Sequence, residues 1–318
     1  MKTIFGVWIK GRLSNIKAIL MNPNKIMIAT FRGVGQVMFQ NNALSGVLML
    51  IGIGCNSMIM CLFALLGTII STLTAIALKY DRENIENGLY GFNGTLVAIA
   101  VPCFMPINIW SVLIMVIASL TTTLVAHAFE RQKFLPSLTA PFVIITWIML
   151  LMSRVLPVLQ QSGVAVVETE EPFSLFQAVS FHFGQIMLQG KSIFTGIFFF
   201  LALLINSRKM ALESFVASLL SLMVLFTPFV EIHSVNSGMY GYNAILTVLA
   251  IANILNTKSC VYIKALVGLG LSVIIQFVGL NMGIVTLTAP FVLSVWLIAL
   301  YNSFELYRSR AKVGRSKS

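Results

Sequence analysis

Charged residues are scarce in this sequence. Only 10% of its 318 residues are charged, while 58% are hydrophobic and the mean hydropathy is +0.93. A soluble domain of this length could not bury that much apolar surface. The composition therefore argues against a soluble protein and predicts an all-α polytopic membrane protein, since helices satisfy their own backbone hydrogen bonds in lipid.

The predicted membrane segments also lack the groups that most membrane chemistry needs. The ten acidic residues and all lysines and arginines lie in loops or near segment ends. A proton relay or an ion-coupled symporter usually keeps such a group at depth, so both are disfavoured, as are charged substrates. The four cysteines and three histidines have no metal-ligand spacing, and no nucleophile–base cluster is visible. We therefore predict no metal, no cofactor and no enzyme.

The positive charge is distributed by membrane side. With the N-terminus inside, the inner segments hold 19 of the 21 lysines and arginines, all but Arg154 and Lys191. The joining segment 159–173 carries Glu168, Glu170 and Glu171 and no basic residue. By the positive-inside rule this segment is external and both termini are cytoplasmic. The net charge of +11 then reflects orientation and not a nucleic-acid partner.

An internal repeat organises the chain. Three motifs recur at an offset of 149 or 150 residues. The pairs are Gly35–Gln40 with Gly184–Gln189, Gly88–Asn93 with Gly238–Asn243, and Leu138–Val143 with Leu287–Val292. In a membrane protein, such a duplication indicates a substrate path between two halves.

Hydropathy gives each half five spans and one short segment that enters and leaves on one side. Five is odd, so the second half is predicted to be inverted, and the two halves surround a central pore. The predicted parts are an amphipathic segment 1–25, a first repeat 26–158, an external linker 159–173, a second repeat 174–302 and a basic cytoplasmic tail 303–318.

Neutral hydrogen-bonding groups recur inside the predicted spans. In the short segments, Gln36 with Gln40 and Gln185 with Gln189 have i, i+4 spacing, which predicts one helical face. A primary amide facing lipid would cost several kcal/mol, so these amides are expected to face protein or a wet cavity. They either join helices or line that cavity, and their symmetric repetition favours the cavity.

Two threonines and two pairs of apolar residues also repeat. Thr139 and Thr288 precede an Ala-Pro step, where they either satisfy backbone groups freed by proline or face each other near mid-bilayer. Two i, i+4 pairs either form flat apolar walls or simply pack. They are Phe92 with Leu96 and Tyr242 with Leu246.

Several of these motifs resemble the urea transporter family. They are Asn87–Val97, Leu135–Thr139 and Gln36–Asn42, and the resemblance covers roughly residues 30–302. The second half departs from it, because Ile284-Val285 replaces Leu-Pro and Leu188 stands where the first half has Phe39.

The resemblance implies a channel-like passive urea permease in the inner membrane of a bacterium, surrounded by lipid and assembled as a homotrimer with one pore per subunit. Gln36 and Gln185 would belong to ladders of oxygen atoms, and Thr139 and Thr288 would bracket the middle of the pore. Apolar slots would be formed by Phe39, Phe92, Leu96, Leu188, Tyr242 and Leu246.

The physical chemistry of urea fits such a pore. Urea is planar and neutral, so apolar side chains accept its faces while oxygens accept its N–H edges. A permease for another small neutral solute, such as a short amide, ammonia or water, remains the alternative. The spans contain no Asn-Pro-Ala pair typical of water channels and no paired histidines typical of ammonium channels.

Overall fold

The computed structural model describes residues 22–132, 134–160, 172–255, 257 and 259–315, with side chains described as far as residue 305. These residues form helices and connecting turns and contain no β-strand. The all-α prediction is therefore confirmed. Most of the predicted segment 1–25 and linker 159–173 lie outside the described residues, as do most side chains of the predicted tail 303–318.

Seven helices make up the described first half. They are α1 (Pro23–Gly35), α2 (Ala43–Asn56), α3 (Met58–Ala77), α4 (Arg82–Glu86), α5 (Gly91–Phe104), α6 (Ile109–Gln132) and α7 (Ala140–Val155). A 3₁₀ turn, Gln36–Met38, extends α1, and another, Pro157–Leu159, follows α7. The side chains of Asn42 and Ser57 cap the N-termini of α2 and α3, which explains why the long apolar stretch divides there.

The described second half repeats this order. Its helices are α8 (Leu175–Gly184), α9 (Ile193–Asn206), α10 (Arg208–Ser221), α11 (Ile232–Asn236), α12 (Gly241–Asn253), α13 (Val261–Asn281) and α14 (Ala289–Arg315). The 3₁₀ turn Gln185–Met187 extends α8, as its counterpart extends α1, and Leu222–Phe226 extends α10. Each of the ten predicted spans corresponds to one of these helices.

Helix length separates two kinds of span. Among the described residues, four helices are long and apolar enough to cross a membrane alone, namely α3, α6, α13 and α10 with its 3₁₀ extension. The bent pair α1 and α2, which meet at 72°, could form a fifth span. The central helices α5 and α12 are shorter, and residues 93–101 and 241–251 are entirely buried. These two helices are therefore enclosed by protein and need not match the lipid thickness.

Reciprocal contacts show that the halves are inverted. The Ser45 hydroxyl, near the start of α2, donates to the Ala202 carbonyl near the end of α9, at 2.7 Å. The Thr195 hydroxyl, near the start of α9, donates to the Gly52 carbonyl near the end of α2, at 2.8 Å. The corresponding helices α2 and α9 are therefore antiparallel. A two-fold axis that relates them must run across the helices, which places it in the plane of the membrane.

Candidate functional site

The two repeated threonines meet at the pseudo-two-fold axis. Their hydroxyl oxygens lie 2.6 Å apart, and Thr139 and Thr288 are only 3% and 2% exposed. Thr139 is the N-cap of α7, but its side chain accepts no capping hydrogen bond from the backbone of that helix. Each hydroxyl has the other as its hydrogen-bond partner within the described part of the chain. The expectation that these hydroxyls face each other is confirmed.

A buried asparagine holds the backbone that presents each threonine. Leu138 and Leu287, just before the threonines, adopt left-handed conformations with φ of 47° and 51°. Asn93 donates to the Leu138 carbonyl at 3.3 Å, and Asn243 donates to the Leu287 carbonyl at 3.2 Å. Each asparagine oxygen also accepts the backbone N–H four residues beyond its leucine. These bonds stabilise a conformation that leucine rarely adopts.

The sequence showed these asparagines only as part of a repeated motif, and their role in the turn was not predicted. The signal was present, because Asn93 and Asn243 end the repeated Gly-x-Tyr-Gly-x-Asn element. An asparagine that recurs at depth in both halves needs hydrogen-bond partners there.

The amides of Gln36 and Gln185 lie where the short helices α1 and α8 end. The Gln36 Nε2 group donates to the Asn87 carbonyl at 2.9 Å, and Gln185 Nε2 donates to the Ser237 carbonyl at 3.0 Å. A carbonyl can only accept, so each contact fixes which end of the amide is nitrogen. The amide oxygens have no hydrogen-bond partner among the described residues, and both side chains are partly exposed. Two acceptors are therefore available at symmetric positions.

The prediction that the two glutamines of each short segment share one helical face is wrong. Phe39 and Leu188 have φ of 61° and 60°, and these left-handed residues end the helical segment before the second glutamine. Gln40 and Gln189 are fully buried, and each donates to the carbonyl of the methionine two residues earlier, at 2.6 Å. Gln40 and Gln189 therefore stabilise the turn. The side-chain oxygens of Gln36 and Gln185, in contrast, remain without a hydrogen-bond partner among the described residues.

The predicted wall residues differ in burial. Phe39, Phe92 and Leu188 are partly exposed, whereas Leu96, Leu246 and Tyr242 are 0%, 0% and 5% exposed. The Phe39 ring packs edge-on against Phe291, with centroids 6.2 Å apart. Since Phe291 lies one turn beyond Thr288, this contact joins the end of α1 in the first half to the threonine-bearing helix of the second half.

Each half also holds the threonine-bearing loop of the other half. The Trp147 indole N–H donates to the Val285 carbonyl at 2.8 Å, and the Trp296 indole donates to the Pro136 carbonyl at 2.9 Å. Both carbonyls lie three residues before a threonine. These crossed bonds stabilise the contact between halves where the hydroxyls meet. The repeated tryptophans were visible in the sequence, but their partners were not.

A cluster of partly exposed charged side chains lies near Gln36. Glu86, next to Asn87, pairs with Lys25 at 3.0 Å and Arg82 at 3.1 Å. Hydrogen bonds from Lys25 and then Arg82 lower the pKa of the Glu86 carboxyl below its usual value. The ten predicted site residues are themselves all uncharged.

Comparison with known proteins decides the family. The sequence model of the family described as "Urea transporter" matches residues 27–303. This chain belongs to the urea transporter family. The resemblance drawn from the motifs is therefore confirmed, and the chain is a multi-pass membrane protein.

Mammalian relatives in the urea transporter family match over most of the chain. It is 28% identical to "Urea transporter 1" of Ovis aries over 296 residues, which cover 86% of this chain and 76% of the relative. It is 32% identical to "Urea transporter 1" of Mus musculus over 240 residues, covering 69% of this chain and 61% of the relative. Membership in this family points to a transporter and not to an enzyme.

Proposed function

We propose that this chain carries urea passively across the membrane through a narrow pore between its two halves. The observation that supports this most is the symmetric set of neutral groups: two threonine hydroxyls in contact, and a free amide oxygen in each half, at Gln36 and Gln185. Family membership supports urea as the solute.

In this proposal, urea moves edge-first from one oxygen to the next. Its N–H groups bond to the free oxygen of Gln36 or Gln185 near either end, and to the threonine hydroxyls in the middle. A hydroxyl has one donor and two acceptor positions, so one bond between the threonines leaves a donor and several acceptors for the solute. Each bond lost is replaced by the next, so no deep binding well forms.

The apolar residues would set the shape of the slot. The rings of Phe39, Phe92 and Tyr242 and the side chains of Leu96, Leu188 and Leu246 accept the two faces of the planar solute. A hydrated ion would lose its water without gaining charged ligands, and is refused for that reason.

The wider arrangement is also part of the proposal. The subunit is expected to form a homotrimer in a cell inner membrane, with a separate pore in each subunit and lipid around the assembly. The positive-inside distribution of lysine and arginine supports cytoplasmic termini.

Flux of labelled urea into proteoliposomes of the purified protein tests the function. We expect flux to rise linearly with urea without saturating, and to be unaffected by proton or sodium gradients. Flux no greater than in empty liposomes would contradict the proposal, and dependence on either gradient would indicate a coupled symporter. Parallel assays with acetamide, ammonia and water separate urea passage from the alternative of another small neutral solute.

A further inference from the structure

The two halves differ in the hydrogen bonds around their threonine-bearing turns. In the first half, the Leu138 carbonyl accepts one side-chain donor, Asn93, at 3.3 Å. In the second half, the Leu287 carbonyl accepts two, from Asn243 at 3.2 Å and from the Tyr242 hydroxyl at 2.6 Å. The first half cannot make the second bond, because Phe92 replaces tyrosine there.

A buried glutamine, Gln276, accepts hydrogen bonds from two residues beside the second-half turn, and we call this set of bonds the Gln276 network. The Gln276 side-chain oxygen accepts from the Thr286 hydroxyl at 2.8 Å and from Asn243 Nδ2 at 3.1 Å. It also lies 3.4 Å from the Tyr242 hydroxyl oxygen. Gln276 and Asn243 are 0% exposed, and Tyr242 and Thr286 are 5% and 8% exposed. In such surroundings each bond is worth more than at a wet surface, and each unpaired group costs more.

The first half has no equivalent of this glutamine. On the 150-residue offset that relates Thr122 to Ser272, which make matching backbone bonds, Gln276 corresponds to Ala126. On the 149-residue offset that relates Leu138 to Leu287, Thr286 corresponds to Ser137, whose hydroxyl is buried without a hydrogen-bond partner among the described residues. The network is therefore an addition to one half and not a requirement of the fold.

We propose that Gln276 is a positioning residue for solute passage, which acts by fixing the turn that presents Thr288. It holds Asn243 and Thr286 beside this turn, and the Leu287 carbonyl of the same turn holds the Tyr242 hydroxyl. The proposal rests on the function proposed above, in which Tyr242 forms part of the second-half wall. The Tyr242 ring is tied at its hydroxyl end, so it cannot shift to widen the slot. The Phe92 ring has no such tie and is partly exposed. The second half is then the part of the pore that rejects urea carrying an extra methyl group.

The test compares two solutes in the same proteoliposomes. The ratio of N-methylurea flux to urea flux is measured for the wild type and for variants. Because both fluxes come from the same protein, the ratio does not depend on how much of it is folded. Two variants remove the network: Gln276→Met removes the accepting oxygen at similar length, and Tyr242→Phe removes only the hydroxyl. Two are controls: Gln276→Glu keeps an accepting oxygen, and Ser137→Ala removes the unpartnered first-half hydroxyl.

We expect the ratio to rise roughly threefold in Gln276→Met and in Tyr242→Phe, the scale of one hydrogen bond between membrane helices. Gln276→Glu and Ser137→Ala should keep the wild-type ratio. If Gln276→Met fails to fold, Thr286→Val takes its place, because it removes the hydroxyl that donates to Gln276. An unchanged ratio in a folded Gln276→Met variant or in Tyr242→Phe, or an equal rise in Ser137→Ala, overturns the proposal while wild-type urea flux still supports the proposed function. Absence of urea flux in the wild type overturns both.

Discussion

The two halves share their backbone more closely than their side chains. Both end the short helix with a left-handed residue, Phe39 or Leu188, and both present a threonine after a left-handed leucine. Yet tyrosine, glutamine and threonine surround the second-half turn, where the first half has phenylalanine, alanine and serine. The parts that the halves have in common, the backbone and the asparagines Asn93 and Asn243, therefore define the shape of the site. The side chains around that shape have diverged, so the two halves can contribute differently to passage.

The largest expected effect comes from removing the two threonine hydroxyls that meet where the halves are in contact. Replacing both hydroxyls, in Thr139→Val with Thr288→Val, keeps side-chain volume but removes the polar groups at the middle of the proposed pore. We expect urea flux to fall roughly 30-fold, the scale of two lost hydrogen bonds. Stopped-flow light scattering on proteoliposomes measures the change.

The control for this double variant is Thr121→Val, which removes an exposed hydroxyl that bonds only within α6, to Ile117 at 2.8 Å. Its flux should equal that of the wild type. Equal flux in the double variant and the wild type would remove the two hydroxyls from the mechanism.

A smaller effect, on stability, should distinguish the substitution of Asn243 from that of Asn93. Asn243→Ala breaks bonds to Gln276, to the Leu287 carbonyl and to a backbone N–H, whereas Asn93→Ala breaks only the latter two kinds. We expect both variants to be destabilised, with Asn243→Ala the less stable by about 1 kcal/mol. Thermal unfolding of the purified proteins in one detergent compares them directly. Equal unfolding midpoints would mean that the bond between Asn243 and Gln276 does not add to the stability of the protein.

The smallest effect concerns the two ends of the proposed pore, where Gln36 and Gln185 make matching hydrogen bonds. Gln36→Met and Gln185→Met each remove one free acceptor and should lower urea flux roughly threefold, by similar amounts in the two halves. Gln36→Glu and Gln185→Glu lose the same bond to the backbone carbonyl but keep acceptor oxygens, so they separate the loss of the acceptor from the loss of that bond. A large loss in only one of the methionine variants would show that the two ends are not equivalent.

Much of this architecture was predictable because it follows from periodic properties of the sequence. Apolar runs, the near-150-residue offset and the one-sided placement of lysine and arginine specify the spans and the inversion. The contact between Thr139 and Thr288 also followed, because equivalent residues close to a two-fold axis meet each other.

The turns were not predictable, because no local preference marks them. Phe39 and Leu188 are residues that rarely take positive φ, so the sequence suggested that the helix continued to Gln40 and Gln189. Tertiary contacts impose the turn instead. A Cβ atom at Gly35 or Gly184 would clash with the carbonyl of the second glutamine, so the chain can fold back there only on glycine. The Gln276 network was missed for a related reason, since Gln276 lies 10 to 34 residues from its partners in the chain.

In the proposed pore, both halves act on the solute at one point, where the hydroxyls of Thr139 and Thr288 meet. A double-mutant cycle on urea flux, with Thr139→Val, Thr288→Val and their combination, tests it most directly. We expect each single variant to lower flux roughly tenfold, because it also leaves the other hydroxyl without its partner. The double variant should then retain roughly threefold more flux than the product of the single effects predicts. Single effects that simply multiply would contradict the account, because the two hydroxyls would then act independently.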